Sequence, residues 1–265
     1  MSYFSGGAGR TYKSEVKYGL DAFKETPGTV TEEDIRPLPE PLQKYLRYTG
    51  AVGKPGVWNF RAVAEGRMTT SAEGRWMKMN TWQYNFIKNP TRLYYLKASM
   101  FGIPCYGLHS YKGQTGSMLV KVLGLVPVVN GKGKEMDEGD CVTLFNDMCL
   151  VAPASLTDKR ITWEAVDSLT AKATFHNGPI DVSAMLFFND TGELINFESD
   201  DRYYSTTGAT YTKLKWSTPL RDYRDFGGIR LASHVDAVWT MPGGKQSTYG
   251  EFDIRSVEYN LNEFK

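Results

Sequence analysis

The chain has 265 residues, of which 41% are hydrophobic and 23% charged, a balance typical of a folded protein and not of a disordered chain. A chain of this length buries about 70–75% of its unfolded surface, so it needs neither disulfides nor a structural metal to hold a core. Lys and Arg number 31 and Asp and Glu 30, giving a formal net charge of +1. This charge excludes the strongly basic surface of a non-specific nucleic-acid or anionic-membrane binder.

Nothing in the sequence resembles a membrane-spanning segment. Residues 1–16 contain no apolar run, and no later stretch reaches the ~18 consecutive apolar residues of a spanning helix. The three cysteines are an odd number, which is not typical of a disulfide framework and suits a reducing compartment. These observations predict a cytoplasmic protein with no integral membrane segment.

The first part of the chain has two helical patterns. Residues 1–30 are polar, and within them Tyr12, Val16 and Leu20 recur at helical spacing over residues 12–24. A second helix is predicted over residues 40–48, because a proline suits its first turn and a glycine follows its end. We expect residues 1–30 to form a partly helical arm and residues 31–265 to form a single antiparallel-sheet domain.

From residue 57 onward the apolar residues alternate with a period of two, which predicts β-strands. Short turns containing Gly, Asn, Asp and Pro separate the stretches, so consecutive strands are expected to pair antiparallel in one large sheet. The predicted strands cover residues 57–66, 67–72, 75–86, 92–100, 105–111, 116–123, 161–166, 170–176, 180–188, 194–204, 212–216, 222–226, 229–240 and 249–259.

One helix interrupts the strands. Between residues 136 and 152 apolar side chains recur every three or four positions, Asp137 is a candidate N-terminal cap, and Pro153 ends the pattern. An apolar helix in the middle of a sheet protein most simply lies against the sheet. The predicted fold class is therefore α+β: a large curved antiparallel sheet, or incomplete barrel, with helices packed on its concave face.

Several motifs resemble those of a bacterial family of unknown function, and the resemblance extends from about residue 31 to the end. They are LPEPLQKYLRYTGAVGKP over residues 38–55, NDMCLVAPASL over residues 146–156, ITWEAVD over residues 161–167, the triplet Asp201-Arg202-Tyr203, and the run over residues 216–223. The resemblance implies no activity or ligand. The strand run with its central helix also resembles the lipoprotein-carrier fold (LolA/LolB-like), which implies an incomplete barrel enclosing an apolar cavity.

No motif in the sequence indicates a metal or cofactor. His109, His176 and His234 fall on different predicted strands without ligand spacing, and Cys141 and Cys149 do not form a CxxC pair. The glycine- and lysine-containing turn over residues 130–134 lacks the spacing of a phosphate loop. We therefore expect neither a metal site nor a cofactor.

The polar residues of interest lie where the pattern predicts burial. Asp147 falls within the apolar helix, and a buried carboxylate is costly unless it is paired. Its expected partner is Arg202, Arg61 or Arg75. One interpretation is a structural ion pair between helix and sheet; the other places Asp147 and Arg202 at the mouth of a cavity, where they orient the polar end of a ligand.

Aromatic residues make up 13% of the chain, and many lie on predicted strands, where they form either a packed core or the wall of a cavity. The leading hypothesis is a protein that binds a small apolar or amphipathic ligand between sheet and helix. The alternatives are a cofactor-independent enzyme using Asp147 or Tyr203 as acid or base, and a protein-interaction module. No nucleic-acid partner is expected, and no protein partner is indicated. The predicted ligand-binding residues are Trp76, Trp82, Tyr84, Asp147, Arg202, Tyr203 and Trp239.

Overall fold

The computed structural model describes residues 4, 6–70, 74–100 and 102–265. The predicted turn at residues 73–74 and the end of the predicted strand over residues 67–72 lie partly outside the described residues. The helices are α1 (Gly6–Ala22), α2 (Glu32–Ile35), α3 (Glu40–Tyr48) and α4 (Lys134–Val151), with a 3-10 turn at Pro153–Thr157. The strands are β1 (Asn59–Met68), β2 (Met77–Phe86), β3 (Thr91–Met100), β4 (Ile103–Lys112), β5 (Thr115–Val122), β6 (Val126–Lys132), β7 (Ile161–Asp167), β8 (Thr170–Asn177), β9 (Ile180–Phe188), β10 (Leu194–Tyr204), β11 (Thr212–Ser217), β12 (Leu220–Asp225), β13 (Arg230–Thr240) and β14 (Gln246–Tyr259).

Among the described residues, fourteen strands form one antiparallel sheet. Its order is β6-β5-β4-β3-β2-β1-β14-β13-β11-β10-β9-β8-β7, and β12 pairs with β13 beside this path. Neighbours in the sheet are mostly neighbours in the chain, as short hairpin connections require. There are two exceptions: β11 pairs with β13, and β1 pairs with β14 and so joins the two halves of the chain. The predicted α+β fold with a large antiparallel sheet is confirmed.

The sheet curves around α4. This helix contacts β4, β5 and β6 at one end of the strand order and β9, β10 and β13 toward the other, so both halves of the sheet bend toward it. Of its 18 residues, 12 are buried. Helix α3 lies beside α4, and the Tyr45 hydroxyl donates to the Cys149 carbonyl over 2.8 Å. Helices α3 and α4 therefore lie on the concave face, as predicted from the sequence.

The curve closes where the loop after β10 meets strand β6. The Asn130 amide donates to the Thr207 carbonyl over 3.4 Å, and Gly208 lies directly against Gly131. A Cβ on Gly208 would stand 2.7 Å from the Gly131 Cα, and the φ of Gly208 is +81°. Only glycine satisfies both conditions, the left-handed backbone and the close approach.

Helix α1 covers the opposite, convex face of the sheet. Its buried residues Tyr12, Val16 and Leu20 pack on Tyr84 and Tyr95, with the other large side chains of β2 and β3 around them. Neither face of β2 and β3 is thus left open. Helix α1 packs on their convex face, and their concave face lines the space that the curved sheet encloses. The three apolar positions that predicted a helix in residues 12–24 are the ones that face the sheet.

Two local predictions are wrong. Residues 126–132 form edge strand β6, although the predicted strands left them out and residues 130–134 were expected to form a turn. An edge strand tolerates a proline such as Pro127 because one side of it need not donate to a neighbour. Helix α4 begins at Lys134 after Gly133 and has no side-chain cap. Asp137 instead accepts a hydrogen bond from the Gly116 amide over 2.7 Å, which ties the first turns of α4 to β5.

Candidate functional site

A cavity of about 340 Å³ lies between α4 and the concave face of the sheet. Its volume falls within the range of small-molecule sites, ~300–1,000 Å³. Five methionines contribute to its wall, and methionine side chains adapt to ligands of irregular shape. The apolar lining consists of Ala62, Ala64, Met68, Met79, Leu96, Met118, Val129, Met136, Leu150, Val151, Val235, Ala237, Met241, Phe252 and Ile254.

The alternation of each strand determines which residues reach this cavity. On β2 the odd positions, including Thr81 and Gln83, point inward, and they pair across the sheet with the inward residues Leu96 and Tyr94 of β3. Tyr94 lies against the cavity, and burial raises its pKa to about 12. The inner wall is therefore mainly apolar, and β2, β3 and β4 contribute some of its polar groups.

An ion pair crosses from this wall to α4. Arg92 Nε lies 2.6 Å from Asp147 Oδ2, and the two side chains are only 7% and 15% exposed. The same carboxylate oxygen accepts from Gln83 Nε2 over 2.7 Å and from Asn85 Nδ2 over 3.2 Å. Asp147 Oδ2 thus receives three donors from the sheet, which satisfies a charge that burial would otherwise make costly.

The network continues through a buried histidine. Arg92 Nη1 lies 3.2 Å from His109 Nδ1, and His109 Nε2 lies 2.5 Å from Asp140 Oδ1. A guanidinium can only donate, so Nδ1 accepts and Nε2 carries the hydrogen that Asp140 receives. Helix α4 is therefore held to the sheet by two carboxylates, Asp140 and Asp147, linked by one arginine and one histidine.

A second arginine faces the cavity from β10. The Arg202 guanidinium carbon is 4.3 Å from the ring centroid of Trp216 and 5.6 Å from that of Trp239. The ladder between β10 and β11 shifts between Ser199 and Arg202, and such a bulge changes which residues point inward. Before the shift, the odd-numbered residue Ser199 is buried. After the shift, the even-numbered residues Arg202 and Tyr204 face the cavity.

Of the seven predicted ligand-binding residues, four contribute to the cavity wall: Asp147, Arg202, Tyr203 and Trp239. The hydroxyl of Tyr203 is directed away to Glu138 Oε2, at 3.0 Å.

The remaining three predicted residues lie elsewhere. Tyr84 and Trp82 face α1 on the convex side, and Trp76 lies 38% exposed beneath the guanidinium of Arg67. Trp82 and Tyr84 are two positions apart on β2 and therefore share one face of the strand. The face of β2 that carries these two aromatic residues is the convex face, which α1 covers, and not the face that lines the cavity.

The predicted partner of Asp147 is also wrong. The arginine that pairs with Asp147 is Arg92, and not Arg202, Arg61 or Arg75. Arg61 pairs with Glu258 over 2.9 Å, and Arg202 lies against the two tryptophans. The sequence contained one signal for this residue. Arg92 stands at an alternate position with Tyr94 and Leu96, and a charge on an otherwise apolar strand face indicates a buried partner.

The geometry gives no support to acid or base catalysis by Asp147 or Tyr203. Oδ2 of Asp147 already accepts hydrogen bonds from three protein donors. Burial and the bond to Glu138 raise the pKa of Tyr203, which makes it a poorer base at neutral pH. Cys141 and Cys149 are buried free thiols, and desolvation raises the pKa of each. Within the described residues, no three His, Cys, Asp or Glu side chains converge as metal ligands would.

The fold and site define a curved antiparallel sheet that encloses an apolar cavity beneath a central helix. Residues 28–252 match the model of the family of unknown function DUF6544, and the chain belongs to this family. This confirms the family resemblance seen in the sequence motifs. No curated protein matches the sequence.

Solved structures show a general likeness. A domain from Vibrio parahaemolyticus assigned to outer membrane lipoprotein sorting has a TM-score of 0.42 and 10% identity, with 83% of this chain and 91% of that chain covered. A DUF1329 family protein from Desulfovibrio piger has a TM-score of 0.42 and 10% identity, covering 83% and 92%. A LolA superfamily protein from Nitrosomonas europaea has a TM-score of 0.42 and 9% identity, covering 82% and 93%. Two of the three carry names from the lipoprotein-carrier group that the strand pattern resembles.

The cytoplasmic location predicted from the sequence is wrong: the similar structures include a domain assigned to outer membrane lipoprotein sorting, which conflicts with it. The prediction rested partly on the number of cysteines. All three are buried, where they are shielded from oxidants and disulfide exchange, so their number does not report the compartment. No helix among the described residues is long and apolar enough to cross a membrane.

Proposed function

We propose that this protein binds a small apolar or amphipathic molecule in the cavity between α4 and the sheet. The observation that supports the proposal is the cavity itself: about 340 Å³ of space with a largely apolar wall that includes five methionines. Packed protein interiors leave few voids larger than a water molecule. An apolar cavity of this size does not attract ordered water, so an apolar ligand gains free energy by filling it.

The position of the cavity supports a binding role as well. Its wall combines the rigid sheet with α4, and α4 is anchored to the sheet by the Arg92–Asp147 and His109–Asp140 contacts. These bonds fix the position of α4 on the sheet at one side of the cavity, so this part of the wall is ordered without a ligand. Preformed pockets of this kind bind with a low ordering cost.

The test uses a variant that fills the cavity. Ala64 lines it from β1, so Ala64→Phe places a ring in the empty space. The matched control is Val63→Phe on the same strand, because Val63 pairs with Trp82 on the convex face. Binding is followed by displacement of a fluorescent apolar probe and by native mass spectrometry of protein purified from its own cells.

We expect the unmodified protein to bind the probe and to retain a reproducible small-molecule adduct. Ala64→Phe should lose both, and Val63→Phe should keep both. Equal probe binding by the two variants, with both folded by circular dichroism, would show that the cavity is not the binding site.

A further inference from the structure

Of the two arginines in the cavity wall, one has a carboxylate partner among the described residues and the other does not. Arg92 is bonded to Asp147, but no carboxylate among the described residues lies within ion-pair distance of the Arg202 guanidinium. The neighbouring Asp201 pairs with Lys213 over 3.0 Å and is therefore occupied. Arg202 is thus a cation that faces the cavity and has no anionic partner among the residues that the structure describes.

The contacts of Arg202 leave its hydrogen-bonding capacity unused. Its Nε is buried and has no hydrogen-bond partner within the described part of the chain, although a buried donor normally has one. The guanidinium carbon stands 4.3 Å from the Trp216 ring centroid. An aromatic ring holds a guanidinium by its face, so the N–H groups around its edge stay available to an acceptor.

The tryptophans that hold Arg202 are themselves fixed. Trp216 Nε1 donates to the Tyr249 hydroxyl over 3.0 Å, and the Tyr249 ring stacks on Trp239 at 5.9 Å. Trp216 and Trp239 are register partners on adjacent strands β11 and β13. The position of the guanidinium is therefore set by the sheet, as recognition of a charged group requires.

An apolar patch of the cavity wall lies on β2 and β3. Met79 and Leu96 belong to an apolar cluster, and Met118 of β5 packs against it. Along the sheet, β1, β14 and β13 separate β2 and β3 from the strands β10 and β11 around Arg202. The cavity wall thus carries a cation on β10 and an apolar patch on β2 and β3.

We propose that the ligand is a single-chain amphiphile with an anionic oxygen head group, either a carboxylate or a phosphate, bound by Arg202. A planar guanidinium donates two parallel hydrogen bonds to either group, and the apolar chain lies against Met79, Leu96 and Met118. This inference rests on the proposed function, because it names the class of ligand that the same cavity binds.

The experiment compares ligands of one chain length and different head groups. Dodecanoate, dodecyl phosphate, dodecanol and dodecyltrimethylammonium are titrated against the probe-loaded protein below their micelle concentrations. The variants are Arg202→Met and, as the matched control, Arg67→Met. Arg67 also lies over a tryptophan, with its guanidinium carbon 4.7 Å from the Trp76 ring centroid, but it is not part of the cavity wall.

We expect the unmodified protein to bind dodecanoate or dodecyl phosphate about 10- to 100-fold more tightly than dodecanol, and dodecyltrimethylammonium least tightly. Arg202→Met should remove this preference and leave dodecanol binding within about 3-fold. Arg67→Met should retain the preference. A preference for either anion supports the proposal and identifies the head group.

Two results separate failure of this inference from failure of the proposed function. If dodecanol binds as tightly as both anions, the head-group site is refuted while the cavity remains a binding site. If none of the four compounds displaces the probe and Ala64→Phe does not alter probe binding, the proposed function itself fails. The head-group comparison in the unmodified protein decides the question even if Arg202→Met does not fold.

Discussion

Arg92 Nε donates to Asp147 Oδ2 over 2.6 Å, and this bond joins strand β3 to helix α4 inside the curved sheet. Both side chains are largely withdrawn from solvent, so each charge depends on the other. The pair stands at the wall of the cavity and holds the helix at a set distance from the strands. The pair therefore contributes both to the stability of the fold and to the position of α4.

Asp147→Ala should destabilise the protein by about 3–5 kcal/mol, because it leaves Arg92 buried without a counter-charge. The control is Glu33→Ala, which breaks the ion pair with Arg36; both of those side chains are at least 75% exposed. Exposed pairs contribute about 0–1 kcal/mol. Urea unfolding of both variants measures the difference, and equal losses would contradict the role assigned to the buried pair.

Gly208→Ala tests the closure of the sheet between the β10–β11 loop and β6. The added Cβ would lie 2.7 Å from the Gly131 Cα, and the backbone φ is +81°. Gly243 has a similar φ of +85° but nothing within 4 Å of its added Cβ. We expect Gly208→Ala to cost about 1–3 kcal/mol more than Gly243→Ala, because only the first combines backbone strain with a steric clash.

Thermal unfolding of the two glycine variants gives this comparison. If the loop contact closes the cavity, Gly208→Ala should also accelerate the exchange of a bound fluorescent probe. Two glycine variants with the same melting temperature and the same exchange rate would show that the loop contact is not required.

Tyr12 and Tyr45 provide a matched pair of buried tyrosines, both at most 1% exposed. The Tyr12 hydroxyl has no hydrogen-bond partner in the described part of the chain, whereas the Tyr45 hydroxyl donates to the Cys149 carbonyl over 2.8 Å. Tyr12→Phe should therefore leave stability unchanged or raise it by about 1 kcal/mol, and Tyr45→Phe should lower it by about 1 kcal/mol. Denaturant unfolding of the two variants should give shifts of opposite sign; a marked loss from Tyr12→Phe would contradict the packing of α1.

Alkaline pH should destabilise the fold through its buried thiols. Burial raises the pKa of Cys141 to about 12 from an ordinary value near 9. Above pH 9 the unfolded thiol releases its proton while the folded thiol keeps it, so unfolding becomes more favourable as pH rises toward 12. At pH 10 the contribution of this one thiol is about 1.4 kcal/mol.

Urea unfolding between pH 7 and pH 10 measures this effect. In Cys141→Ala the loss of stability between pH 8.5 and pH 10 should be smaller than in the unmodified protein, whatever the cost of the substitution at neutral pH. Identical pH profiles would show that Cys141 does not keep its proton in the folded state.

Local sequence patterns were enough to predict much of the fold. The alternation of period two located most strands, and the apolar spacing over residues 136–152 located α4 within two residues of its observed start. Strand β6 was missed because edge strands accept residues, such as Pro127, that a central strand excludes. The candidate site was only partly predicted, because the residues that form it come from distant segments whose approach depends on strand order.

By itself the sequence determined the fold class and the family. It could not determine which face of the sheet is concave, because a strand alternates in the same way whichever side encloses the cavity. Only the tertiary structure decided that Arg92 pairs with Asp147 and that Arg202 faces the cavity. Strand order, the bulge in β10 and the curvature of the sheet determine these contacts, and all three depend on residues far apart in the chain.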